Sequence, residues 1–159
     1  MEAKTCAAAV EQYGLPPRSE LCAEIKAQFD SLAGEVDADG AAGTMNAVGE
    51  EAAMDLLRCY SAMLSSLGDA DETTHLWMTR EKSAKLREGL EIKFLCGAGI
   101  ELTRGHLQGL PGKSATKAMD ELNACAEAED LDTWTVQDWL DYYHCYFGTG
   151  SQDFDWEAF

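Results

Sequence analysis

Apolar residues recur every three or four positions along almost the whole chain. Leu21, Ile25, Phe29, Leu32 and Val36 follow one another at steps of 4, 4, 3 and 4, the repeat of one helical face. Ala53, Leu57, Tyr60, Leu64 and Leu67 form a second stripe, closed by Gly68. Leu86, Leu90 and Phe94 form a third, on a segment opened by Thr79 and interrupted at Gly97 and Gly99. Ala115, Ala118, Leu122 and Cys125 continue the pattern after the Pro111-Gly112 break. Val136, Trp139 or Leu140, Tyr143 and Phe147 complete it, with Thr135 as N-cap and Asp138 as a short stand-in for the capping-box Glu. An earlier helix is predicted over 3–13. Pro16, Pro17 and Ser19 mark the start of the helix that carries Leu21, and Gly34 weakens its end. No stretch alternates with period two over a useful length. The expected class is all-α, with no sheet beyond short pairings between loops.

A chain of 159 residues has room for one domain or two small lobes. Its 29 acids against 12 bases leave a net charge of −17. That balance argues against nucleic acid, whose phosphates need clustered Lys and Arg, and against an anionic membrane surface. At 46% hydrophobic the chain is too apolar to be an acidic disordered tail. No apolar run is long enough to span a bilayer. The start, Met1-Glu-Ala-Lys-Thr5, lacks the basic-then-apolar layout of a signal peptide. The expected setting is therefore cytoplasmic.

The charge is uneven. Residues 1–60 carry net −7, residues 61–110 net −1 and residues 111–159 net −9. Two acidic ends flank a near-neutral middle, a layout suited to a cationic partner or a divalent metal, or to a solvated surface that keeps the protein soluble. The six cysteines form no CxxC pair and the three histidines stand far apart. Free thiols are expected in a reducing compartment. No Gly-rich phosphate loop, triad or two-carboxylate layout is present, so a binding protein is expected rather than an enzyme.

Three acidic segments lie between the stripes. The first runs from Asp37 through Asp39, Gly43 and Met45 to Glu50. The second offers Asp69, Asp71 and Thr73 at alternate positions and ends at Glu81. The third, Glu127 to Asp138, is twelve residues long, with Trp134 near its end and Trp139 just after it. A hard cation such as Ca²⁺ takes six to eight oxygens, commonly from acids at alternate loop positions closed by a Glu.

These segments resemble EF-hand loops. The sequence after the third, Trp139 to Tyr143 and then Ser151 to Trp156, is similar to the last exit helix and tail of calcyphosine-like EF-hand proteins, relatives of the calmodulin-like family. The resemblance implies helix-loop-helix pairs, possibly in two small lobes, with residues 1–110 as an N-terminal lobe and 111–159 as a C-terminal unit. It implies calcium at Asp37, Asp39 and Glu50 first, and at Asp69, Asp71, Thr73 and Glu81 second. The third loop keeps the register but has Leu131 and Asp138 at ligand positions, so it is expected to be empty. The resemblance also implies a protein partner, a basic amphipathic helix, held in an apolar groove. Met54, Leu57, Met63, Leu64, Trp139, Tyr143 and Phe147 are the groove candidates; the alternative is that they are simply core. The rival to the calcium-binding reading is a metal-independent acidic helical adaptor, or a structural subunit of a larger assembly.

Overall fold

The computed structural model describes residues 4–43 and 45–150, apart from the side chains of residues 40–42. Ala3 and the segment Ser151 to Trp156, on which parts of the sequence reading fall, lie outside what is described. Among the described residues the chain forms eight α-helices: α1 (Cys6–Tyr13), α2 (Cys22–Ala42), α3 (Ala47–Ser66), α4 (Ala70–Arg80), α5 (Ala84–Gly89), α6 (Ile100–Gly109), α7 (Lys113–Glu129) and α8 (Val136–Tyr146). Short 3₁₀ turns cover Ser19–Leu21, Ile92–Leu95 and Leu131–Thr133. The only strand-like pairing among the described residues is a single bridge between Gly14 and Pro17. The all-α class is what the structure has.

Local chemistry sets the helix ends. Thr5, Asn46, Asp69, Ser83 and Thr135 each accept a backbone N–H of the first turn through the side chain, satisfying donors that a helix start leaves open. At α8 the exchange is reciprocal. Thr135 Oγ1 accepts from the Asp138 N–H at 3.2 Å, and Asp138 accepts from the Thr135 N–H at 2.6 Å. The short Asp therefore closes the capping box the sequence suggested. Those bonds to Thr135 hold its carboxyl below the ordinary value of 3.8.

Two boundaries differ from the sequence reading. Gly34 does not end α2; the helix runs eight residues further to Ala42. Gly34 is solvent-exposed, and its cost of about 1 kcal/mol relative to Ala is outweighed by the buried face of Ile25, Phe29, Ala33 and Val36. The stripe Leu86, Leu90 and Phe94 is not one helix opened by Thr79. Thr79 is buried inside α4, Ser83 caps the six-residue α5, and Phe94 sits on the 3₁₀ turn. All three stripe residues are buried nonetheless. Their spacing reported burial correctly and helix continuity wrongly.

Helix α3 packs against α1, α2, α4, α8 and the Ile92–Leu95 turn. Buried residues from Ala9 to Phe147 form one contiguous cluster. Leu107 before the Pro111-Gly112 break and Ala118 after it both belong to it. Aromatic rings concentrate around α8. Phe94 meets Tyr146 at 4.8 Å between centroids, and Trp134 meets Trp139 at 4.6 Å. Tyr143 Oη donates to the Lys93 carbonyl at 2.6 Å, tying α8 to the 3₁₀ turn. Val136, expected on the same buried face, is instead 50% exposed at the first helical position.

The proposed groove residues are core. Met54, Leu57, Met63, Leu64, Trp139, Tyr143 and Phe147 are all buried in the common cluster. A stripe at helical spacing reports burial but not whether the buried face meets the chain itself or a partner. No helix among the described residues is long and apolar enough to cross a membrane.

Candidate functional site

Asp37 and Asp39 belong to α2 rather than to a loop. Two residues apart on a helix, they are set about 200° apart around its axis rather than at alternate loop positions, although both border the same cleft. Asp37 is half-buried and Asp39 is 4% exposed. Asp39 accepts the Met45 N–H at 2.5 Å, which folds the connection after α2 back onto the helix end. Gly43 caps α2 with φ 62, a left-handed conformation natural to glycine.

Asp39 and Glu50 converge all the same, on Lys85. The Lys85 ammonium reaches in from α5, 3.1 Å from Asp39 and 3.0 Å from Glu50. Glu50 first, then Asp39, hold its proton more firmly than the ordinary value of 10.5. These residues and Asp37 line an open cleft of about 610 Å³. Its chemistry is that of two carboxylates already meeting a cation.

The second segment is a helix too. Asp69 is the N-cap of α4 and accepts the N–H of Asp71 at 2.8 Å and of Glu72 at 3.2 Å. Thr73 is buried and donates to the Asp69 carbonyl at 3.0 Å. Asp71 stands exposed in the first turn. Glu81 follows the other end of the eleven-residue helix, about 18 Å from Asp69 at 1.5 Å per residue. There it pairs with Arg80 at 2.9 Å and Arg87 at 3.2 Å. The structure does not bring Asp69, Asp71, Thr73 and Glu81 to one centre.

The third segment does form a turn between two helices. Asp130 ends α7 with φ 54, Leu131 is fully buried, and Asp138 is engaged in the cap of α8. Leu131 thus serves the core and Asp138 the helix start.

The residues that sequence reasoning missed are cations. The near-neutral middle of the chain supplies counter-charges to both acidic ends. Arg80, itself 1% exposed, reaches Glu121 at 2.5 Å and donates to the Leu90 carbonyl at 2.8 Å. Lys93 pairs with Glu129, and Arg104 with Asp132 at 2.5 Å. The regional charge count held the signal, because six of the twelve bases fall between 61 and 110. It could not say which acid each would meet.

Among the described residues, no group of three or more His, Cys, Asp or Glu side chains is arranged to hold a metal ion. The six cysteines are free thiols. No protein family, curated protein or solved structure matches the chain.

Proposed function

We propose that this protein is a metal-independent acidic helical interaction module, an adaptor or a subunit of a larger assembly, whose partner is a basic protein segment. One observation carries the reading. Asp39 and Glu50, the carboxylates best placed by sequence for a divalent ion, meet the ammonium of Lys85 instead. An internal cation does there what a metal would do, without responding to metal concentration. The packed core and the absence of a three-ligand cluster among the described residues support the same reading. The burial of the groove candidates argues against a groove made of those residues and favours a contact on the charged surface. A net charge of −17 makes that surface complementary to Lys- and Arg-rich chains.

The test is fluorescence anisotropy with a labelled Lys- and Arg-rich peptide, first in EDTA and then in millimolar Ca²⁺. Equal affinity in the two buffers, weakening as salt rises, is the expected result. Binding that appears only with calcium would restore the sensor reading. Absence of binding in both would remove the basic partner.

A further inference from the structure

A second cleft, of about 530 Å³, lies where α7 ends and α8 passes. Trp134 and Tyr142 are its aromatic walls, with ring centroids 5.6 Å apart and planes inclined at 58°. Glu127, Glu129 and Asp130 supply its carboxylates. The C-terminus of the seventeen-residue α7 adds the partial negative charge of its last carbonyls.

A cation already sits there. Lys93 Nζ lies 5.5 Å from the centre of the Tyr142 ring and pairs with Glu129. An ammonium over an aromatic face beside a carboxylate is how aromatic pockets hold lysine and quaternary amines. The backbone behind it is fixed, because the Lys93 carbonyl accepts the Tyr143 hydroxyl. The charges do not balance. Three acidic residues line the cleft; Glu129 alone pairs with the ammonium, and neither Glu127 nor Asp130 has an ion-pair partner among the described residues.

We propose that this cleft is the seat for one lysine or arginine side chain of the basic partner, with Lys93 as a built-in occupant that the partner's cation displaces. The inference rests on the reading of the protein as a binder of basic segments, and it adds the place. Charge complementarity argues for the occupant, and the resident Lys93 shows that the pocket accepts it.

The probe is the same Lys- and Arg-rich peptide, titrated into the full chain. Glu127→Gln with Asp130→Asn removes two charges from the rim. Asn tolerates the left-handed backbone at position 130, and the melting temperature reports whether the fold is kept. Glu11→Gln with Glu35→Gln removes two charges from exposed positions elsewhere. The rim pair should weaken binding about tenfold, and the control pair should change it less than about twofold by comparison. Trp134→Ala should weaken it as the rim pair does. Lys93→Met should tighten it, because the competitor is gone. Equal losses in rim and control variants would overturn the site while leaving a basic partner in place. So would weaker binding by Lys93→Met at an unchanged melting temperature. A wild-type chain that ignores the peptide would instead defeat the functional reading on which the site rests.

Discussion

Lys85 Nζ lies 3.1 Å from a carboxylate oxygen of Asp39, a residue 46 positions earlier in the chain. The Asp39 side chain is almost wholly buried, at 3% exposed, and that of Lys85 is 22% exposed. The pair joins α5 to the end of α2, and Glu50 at the start of α3 shares the same ammonium. Three helices thus meet at one internal cation. A buried carboxylate without such a partner would be costly.

Removing the carboxylate should therefore destabilise the protein. Asp39→Ala leaves the Met45 N–H without its acceptor and Lys85 with Glu50 alone. The expected cost is about 1–3 kcal/mol, the usual penalty for stranding buried polar groups. Chemical denaturation of the variant measures it. A midpoint equal to wild type would show that the junction contributes nothing.

Trp139 is fully buried and touches Trp134 and Tyr143. Trp139→Ala should cost about 3–5 kcal/mol, as for other core aromatics. It should also disturb the cleft wall at Trp134, so tryptophan fluorescence should shift along with the melting temperature. A variant that melts with wild type would contradict the packing described for α8.

Gly97 is needed for close approach. A Cβ there would lie 2.6 Å from Ser65 Oγ and 2.8 Å from the Ser66 backbone nitrogen. The Gly97 N–H also donates to Ser65 Oγ at 3.1 Å. Gly97→Ala should push the segment off α3 and cost about 1–3 kcal/mol. Gly105→Ala meets open space and should be neutral or slightly stabilising. The pair compared by thermal melting tests the contact, and equal melting of both would contradict it.

Stability at high pH has a definite sign. Burial pushes Tyr142, Tyr143 and Tyr146 above the ordinary tyrosine value of 10. A folded-state value raised above the unfolded one gives stability that is fully present below pH 10. It is lost as pH rises toward the raised values. Phenolate absorbance from these residues should therefore appear together with loss of helical circular dichroism. A smooth titration of all five tyrosines near pH 10 with the helices intact would contradict their burial.

The helices were legible because burial imposes period 3.6 on apolar residues. The stripe Leu21 to Val36 and the Thr135–Asp138 cap could be read directly from spacing and side-chain chemistry. The candidate site was legible only in part. Asp37, Asp39 and Gly43 look alike in a loop and in a helix end, because Ala and Gly between them carry no periodic signal. The helix there carries Val36 into the core and Asp39 to Lys85, contacts that spacing alone does not show. Lys85 and Lys93 could not be singled out in the sequence because their partners, Asp39 and Tyr142, are set by tertiary packing. A net charge adds up signs, but it does not say which of them meet.

The most direct test of metal independence is calorimetric titration of Ca²⁺ into the wild-type chain at low ionic strength, with the melting temperature recorded alongside. Any ion that bound the native state alone would raise that temperature by linkage. Because Lys85 occupies the Asp39–Glu50 junction, the titration should give no saturable heat and no rise at millimolar Ca²⁺. A saturable isotherm with a rising melting temperature, both abolished by Asp37→Asn with Glu50→Gln, would place calcium at that cleft and contradict the account.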